Sequence, residues 1–354
     1  MKPPAWLSSD LLREPDFRKL WAGLTVSLVG AQVSGLALPL AAVGLGATAG
    51  QMGVIGALRW LPYLLLGLIA GVWLDRLRRR PVLIVTHLGR AALLASVPAA
   101  ALLDRLSVEQ LYALAFLLGA LMVFSDGAYQ ALLPTLVRPA QLVDGNSKFA
   151  LSQSLARLVG PGLGGALVEL VSAPLAVALD AAAFVLDAVL VAAIRSPEPP
   201  PHPRAERRLG REIVEGLRWV FGSRLLRPIQ LSSMSFICAN AVWSTVYVLY
   251  ATRQLGVDAV TLGLIFAAGG PGAVLGSLAA GRLIERYGLG RPLVVANGLS
   301  GVATLLLPLS AIVRSGLAVP LLTLASFLFG LLVTIGSVAE LSLRQGVTPS
   351  DLQG

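Results

Sequence analysis

Ten apolar stretches divide this sequence from end to end. Each is roughly 20 residues long, the length that a helix needs to cross about 30 Å of hydrocarbon. Inside lipid, helices satisfy their own backbone hydrogen bonds. Only 13% of the residues are charged and the mean hydropathy is +0.77, whereas soluble domains are about 25% charged. We therefore predict an all-α, polytopic membrane helix bundle. Its spans, numbered 1 to 10, are residues 20–46, 52–75, 82–103, 109–136, 148–171, 174–194, 229–252, 260–283, 291–313 and 318–343.

The basic residues indicate how the spans are oriented. Of 28 Lys and Arg residues, 22 fall on the side that holds the N-terminus and the long loop 195–228, three fall on the other side and three lie inside spans. Basic residues accumulate in cytoplasmic loops. We therefore predict a multi-pass protein of the bacterial cytoplasmic membrane with a cytoplasmic N-terminus. Nucleic-acid binding is excluded, because the arginines lie between apolar segments and form no soluble basic face.

The long loop separates two predicted halves. Residues 1–195 form an N-terminal six-helix half, 196–228 a cytoplasmic linker, and 229–354 a C-terminal half with four helices. The linker opens with the Pro-rich piece 197–203 and continues with apolar residues at helical spacing among charges. That pattern predicts an amphipathic helix on the inner leaflet. A plain tether between the halves is the alternative.

The two halves repeat each other. Segment 71–85 matches 281–296, since each has a Gly, an acidic residue four positions later, an Arg, and then Arg-Pro at the start of the next span. Within segments 132–145 and 341–354, Pro139 matches Pro349 and Leu142 matches Leu352, again at an offset of 210 residues. Parallel repeats of this kind relate the halves of several secondary transporters. The second copy stops at Gly354, before the equivalents of spans 5 and 6, so the chain is either a fragment or a natural ten-span protein.

Three features resemble the major facilitator superfamily. The loop sequence 71-GVWLDRLRR-79 is similar to the family's signature between helices 2 and 3, and 160-GPGLGG-165 in span 5 is similar to a motif of its drug and proton antiporters. The third feature is the six-plus-six arrangement with a long charged central loop. The amino-acid sequences around these features, such as DRLRRRPVLI and SDGAYQALLPTLV, most resemble the exporter branch that includes the enterobactin and macrolide efflux proteins. The chain departs from the family in lacking the last two helices and a Gly among its first basic cluster.

The resemblance implies that the first signature is a conformational latch, formed by Gly71, Asp75, Arg76, Arg79 and Arg80. Asp75 ends span 2, where a carboxylate opposes the helix dipole unless it is paired. Breaking such a pair is expected to accompany the change between inward- and outward-facing states. The alternative is that the arginines serve only as topology anchors.

The resemblance also implies a conformational role for the helix-5 motif, which comprises Gly160, Pro161, Gly164 and Gly165. Small residues let helices approach closely, and the proline removes one helical hydrogen bond and bends the helix. A bend here is expected to help seal the transport cavity. A simple packing kink is the alternative.

Charged residues inside spans are costly and usually face a cavity or a partner. Arg90, Asp126 and Arg157 lie at similar depths on spans 3, 4 and 5, about 13–15 Å from the cytoplasmic side, and are predicted to form one cluster. Asp126 is hypothesised to bind a coupling proton or a substrate cation, with a structural ion pair as the alternative. Other candidates are predicted to line the transport cavity, and the alternatives are snorkelling or a local polar contact and, for Tyr247, an aromatic belt at the outer membrane surface. They are Gln32, Arg59, Asp180, Asp187, Asn240, Trp243, Tyr247 and Glu340.

No enzyme signature is present. The sequence has no nucleophile elbow, P-loop, HExxH or CxxC motif, and Cys238, His87 and His202 are too few for a metal site, so no cofactor or metal is expected. We predict a secondary active transporter that exports a small amphiphilic molecule by alternating access, as a proton antiporter. Its partners are the small-molecule substrate, protons and the lipid bilayer, and a monomer is the expected state. Uptake, lipid transport, or a non-transporting partner or sensor derived from a transporter are the alternatives.

Overall fold

The computed structural model describes residues 10–138, 141–198, 218, 221–224, 226–310, 312 and 315–347. The described residues contain helices and no strand, which confirms the all-α prediction. A short helix, Asp10–Arg13, precedes the spans. In chain order, the helices of spans 1 to 10 are Pro15–Gly44, Ala49–Arg76, Arg79–Leu102, Val108–Leu136, Leu142–Val171, Ala173–Ala192, Leu226–Arg253, Ala259–Ala267 with Gly269–Tyr287, Gly290–Thr304 with Leu306–Ser310, and Ser315–Val347.

Within the described part of the chain, eight helical segments are long and apolar enough to cross a membrane. They belong to every span except 2 and 7. The helices of spans 2 and 7 have 28 residues each, about 42 Å at 1.5 Å per residue, which exceeds the hydrocarbon thickness. The predicted multi-pass architecture is therefore present.

Polar caps begin three of the spans. Thr48 and Gln51 form a reciprocal capping box at span 2, and Ser107 at span 4 and Asp258 at span 8 each accept a hydrogen bond from the backbone N–H three residues later. These bonds satisfy donors that a helix start leaves unpaired. At Asp258 the backbone and side-chain bonds from Thr261 lower the pKa of the carboxyl group. The spans consequently begin at defined residues.

The chain divides into two compact units. The first contains residues up to Ala156, residues 166–206 and the piece Ala241–Leu249 of span 7. The second contains Arg157–Gly165 of span 5 and all the remaining residues. The domain boundaries at residues 195 and 228 stay predictions. Of the predicted amphipathic helix of the linker, residues 218, 221 and 222 are described and helical, whereas Ile213, Leu217 and Val220 lie outside the described residues.

Span 6 is central to the first unit, where it packs against spans 1 and 3. Two aspartates on its buried face, Asp180 and Asp187, are seven residues apart and lie against Gly30 and Gly23 of span 1. A Cβ atom at either glycine would overlap the facing carboxylate. The two glycines therefore make room for two buried acidic side chains.

The second unit repeats the neighbour pattern of the first. Span 10 packs against spans 8 and 9, as span 4 packs against spans 2 and 3. Gly272 and Gly276 of span 8 lie directly against backbone carbonyls of span 10, and Gly330 of span 10 lies against the carbonyl of Gly269. Small residues allow this close helix contact in the membrane. The shared pairings support the sequence repeat, although Pro139, Pro349 and Leu352 of its second match lie outside the described residues.

Candidate functional site

A group of polar side chains lies inside the first unit, among helices that are otherwise apolar. Spans 2, 3, 4 and 6 each contribute two members. We call this group the polar cluster, and it comprises Arg59, Tyr63, His87, Arg90, Asp126, Tyr129, Asp180 and Asp187.

Asp126 is the exposed acidic member of the polar cluster. It lies ten residues before the end of its helix at Leu136, about 15 Å along the axis. Its Oδ2 accepts a 2.5 Å hydrogen bond from the Tyr63 hydroxyl. A carboxylate exposed to hydrocarbon at this depth would be costly.

Arg90 supplies positive charge to the polar cluster. Its guanidinium carbon lies 3.9 Å from the centre of the Phe184 ring, a cation–π contact, and it is attracted by Asp180 and Asp126. Arg59 is attracted by Asp180 as well. Two arginines therefore balance two carboxylates, so the charges of this part of the cluster compensate one another.

Asp187 forms a second, buried centre. The Tyr129 hydroxyl lies 2.7 Å from Oδ1 and 2.6 Å from Oδ2 of Asp187. Nδ1 of His87 lies 3.2 Å from Oδ2, and the side chains of His87 and Asp187 are 1% and 0% exposed. The His87 ring also contacts the rings of Tyr129 and Phe184, with centroids 5.5 and 5.6 Å away. The centre is therefore closed to solvent.

The structure joins two of the three residues predicted to form the charged cluster. Arg90 and Asp126 interact electrostatically, whereas Arg157 is exposed on the helix of span 5 and packs with the second unit. The prediction grouped Arg157 with Arg90 and Asp126 only because the three residues lie at similar depths in the membrane. A helix also has a rotational position about its axis, which depth does not specify.

The other candidate residues occupy varied environments. Gln32 and Asn240 are half-buried, Arg59 is exposed and Tyr247 is buried. Glu340 of span 10 accepts a 2.6 Å hydrogen bond from the Ser233 hydroxyl of span 7. The side chain of Trp243 lies outside the described residues. These contacts assign a local polar partner to Glu340.

The structure describes only some of the residues predicted to form the latch. The side chains of Gly71, Asp75 and Arg76 lie outside the described residues, whereas Arg79 and Arg80 begin the helix of span 3. Their backbone N–H groups donate to the two carboxylate oxygens of Glu198, and the Arg79 guanidinium lies 3.8 Å from the same group. Arg80 also donates to the carbonyl of Ala192 at 2.5 Å. The start of the central loop thus caps span 3.

The helix-5 motif lies in a close helix crossing within the second unit. Gly160, Pro161, Gly164 and Gly165 are all buried. A Cβ atom on Gly165 would overlap the carbonyl oxygen of Ala259, and one on Gly263 would overlap the carbonyl oxygen of Pro161 and lie 3.2 Å from the Gly165 Cα. The absence of side chains on both helices therefore lets spans 5 and 8 touch through their backbones.

Sequence reasoning did not identify four of the polar residues. They are Tyr63, Tyr129, Glu198 and His87, and the sequence drew attention only to His87, as one of two histidines too few for a metal site. Helical spacing carried a usable signal, because Tyr129 lies three residues after Asp126 and His87 three residues before Arg90, on the same faces. The described residues contain no group of three His, Cys, Asp or Glu side chains placed to hold a metal ion.

Comparison with known proteins gives consistent results. Residues 20–354 match the family model of the Major Facilitator Superfamily. The chain is 26% identical over 358 residues to the enterobactin exporter EntS of Citrobacter koseri, which covers 100% of this chain and 83% of the relative. It is 30% identical over 230 residues to the multidrug efflux pump Tap of Mycobacterium tuberculosis, which covers 63% of this chain and 55% of the relative.

Solved structures share the fold at low sequence identity. A bacterial homologue of the iron transporter ferroportin, in an inward-facing state, has a TM-score of 0.70 at 17% identity and covers 96% of this chain and 86% of its own. The nucleoside transporter NupG has a TM-score of 0.73 at 12% identity, with coverage of 97% and 84%. At these identities the likeness concerns the fold alone.

Proposed function

Because this chain belongs to the Major Facilitator Superfamily and is a non-enzymatic membrane transport protein, we propose that it is a proton-coupled exporter. It carries a small amphiphilic molecule, of the drug, macrolide or siderophore kind, out of the bacterial cell by alternating access. Export is supported by the names of two relatives, an enterobactin exporter and a multidrug efflux pump. The bias of basic residues toward one side of the spans supports a cytoplasmic N-terminus.

One observation carries the proton coupling: Asp126 is an exposed carboxylate in the middle of a spanning helix, held by Tyr63. A carboxylate that water reaches binds and releases protons, and an ionisable residue inside a spanning helix usually serves transport. In the proposed cycle, Asp126 takes up a proton from outside and releases it inside. Substrate leaves the cell in the opposite step.

The surroundings of Asp126 suit an amphiphilic substrate. The ring of Trp60, which is 42% exposed, lies 5.5 Å from the Tyr63 ring. Span 2 therefore presents aromatic surface beside a carboxylate and beside the exposed side chain of Arg59. Apolar binding surface with a few charged groups is typical of small-molecule sites.

Two further elements are proposed to control the conformational change. In the latch, Glu198 holds the start of span 3 through Arg79 and Arg80, so release of Glu198 would free the loop between spans 2 and 3. In the helix-5 motif, the close contact at Gly165 lets span 5 move against span 8 without a side chain in between. The latch and the helix-5 motif are both separated from Asp126 by more than 30 residues of sequence.

Accumulation of ethidium and of a macrolide in efflux-deficient bacteria tests the proposed function. Cells that produce the chain are expected to accumulate less of at least one compound than cells with an empty vector. A protonophore is expected to remove the difference, because it dissipates the gradient that drives export. Equal accumulation in both cell types, with the chain shown to be in the membrane, would contradict export of these compounds. Reduced accumulation that persists with the protonophore would contradict proton coupling.

A further inference from the structure

We propose that Asp187 and His87, together with Tyr129, form a buried proton-binding site in the first unit. The proposal deepens the proposed function, on which it rests, because this proton is one that the exporter exchanges.

The geometry of the three residues supports a shared proton. Nδ1 of His87 lies 3.2 Å from Oδ2 of Asp187, yet within the described part of the chain it makes no hydrogen bond of normal geometry. Tyr129 has one hydroxyl hydrogen for the two carboxylate oxygens. When the neutral imidazole carries its hydrogen on Nε2, neither Nδ1 of His87 nor Oδ2 of Asp187 has a hydrogen for this contact, and a bound proton supplies it.

The charges around Asp187 favour proton binding. Span 3 contributes His87 and Arg90, span 4 contributes Tyr129, and span 1 contributes the hydroxyl of Ser27. Arg90 is the cation among these groups, and it also interacts with Asp180 and Asp126. An ionised carboxylate that is 0% exposed is costly without a dedicated partner. A proton held between Asp187 and His87 makes the pair neutral.

Span 4 connects this buried site to the exposed carboxylate. Tyr129 lies three residues after Asp126, so the two side chains are neighbours on one helix face. The bound proton lies between Oδ2 of Asp187 and Nδ1 of His87, two atoms that are 3.2 Å apart. No bond between heavy atoms is made or broken.

Asp180 provides a matched comparison within the same helix. Like Asp187, it is buried, interacts with Arg90 and lies against a glycine of span 1. Asp187 accepts a hydrogen bond from Tyr129 and lies within ion-pair distance of His87. Among the described contacts, Asp180 has no tyrosine or histidine partner of this kind. Asp180→Asn therefore removes a buried carboxylate from the same face while the proposed site stays intact.

Magnetic resonance of histidine tests the site without measuring transport. The chain contains two histidines, so His202→Gln leaves His87 as the sole source of signal in protein made with isotope-labelled histidine. In lipid nanodiscs, the His87 ring nitrogens are expected to change chemical shift in one step between about pH 5 and about pH 8. Asp187→Asn is expected to abolish that step, Tyr129→Phe to shift its midpoint, and Asp180→Asn to leave it in place.

The outcomes separate this proposal from the proposed function. A constant His87 signal across the whole range, or a step that survives Asp187→Asn, would overturn the buried site even if a protonophore abolishes export. A step that depends on Asp187, in a protein whose export ignores the proton gradient, would leave the site correct and overturn proton coupling. If Asp187→Asn does not fold, the wild-type titration and the Tyr129→Phe variant still test the site. A missing step in the wild type, or a midpoint that Tyr129→Phe leaves unchanged, would overturn it.

Discussion

Asp126→Asn is expected to reduce proton-driven export by about tenfold or more, because coupling between two bound ligands is typically about 1–3 kcal/mol. Asparagine has almost the same shape and keeps an oxygen that accepts the hydrogen bond from Tyr63. It cannot bind and release a proton, so the coupling is lost while the contact remains. The measurement is ethidium efflux from preloaded cells, at several external pH values.

Two controls distinguish coupling from misfolding. Asp104→Asn makes the same chemical change at an exposed aspartate in the loop between spans 3 and 4, where a φ of 51° suits asparagine, and export should be unchanged. Asp126→Glu restores a carboxyl group and should recover part of the export. Unchanged efflux and unchanged pH dependence in Asp126→Asn would leave Asp126 with a structural role only.

Gly165→Ala is expected to have the second largest effect. The added Cβ would overlap the carbonyl oxygen of Ala259 in the backbone of span 8, so the two helices must separate. Overpacking of this kind costs about 1–3 kcal/mol. We expect a lower midpoint of thermal unfolding in detergent and, because the spans no longer touch through their backbones, weaker export.

Gly162→Ala is the matched control in the same motif. A Cβ at Gly162 meets no atom within 4 Å, and replacing a helical glycine by alanine stabilises a helix by up to about 1 kcal/mol. Its unfolding midpoint should equal or exceed that of the wild type, with export retained. If both variants behave alike, the contact with Ala259 does not determine the function of the motif.

The sequence predicted the helices well because their lengths are set by the bilayer. Apolar runs long enough to span hydrocarbon can form little other than helices, and each predicted span coincides with helical structure. The polar caps explain where several helices begin. Chain position and local composition determine these features, so they can be derived without tertiary contacts.

The partners of the charged residues could not be derived in this way. Depth along a helix follows from residue number, but the direction in which Asp126 points depends on how span 4 is rotated against span 2, where Tyr63 lies. Glu198 caps span 3 from more than a hundred residues away. Such pairings follow from helix packing, which composition and periodicity do not determine.

The spacing of Asp180 and Asp187 predicts that they share a helix face, but it does not predict which helix that face contacts. Seven residues place them on one helix face, and both lie on the buried face of span 6. Their glycine neighbours on span 1 share the same spacing. That agreement could have been noticed in the sequence, but only the structure shows that the two faces meet.

Reconstitution in vesicles tests the central claim most directly. Purified protein is placed in proteoliposomes whose interior is about one pH unit more acidic than the outside, a gradient of roughly 1.4 kcal/mol per proton. Ethidium or a macrolide is then added outside, and substrate uptake and internal pH are recorded together. The account predicts that substrate accumulates inside while the internal pH rises, and that an ionophore that dissipates the gradient stops both. Substrate movement of equal size with and without the gradient, and with no change in internal pH, would contradict proton-coupled export.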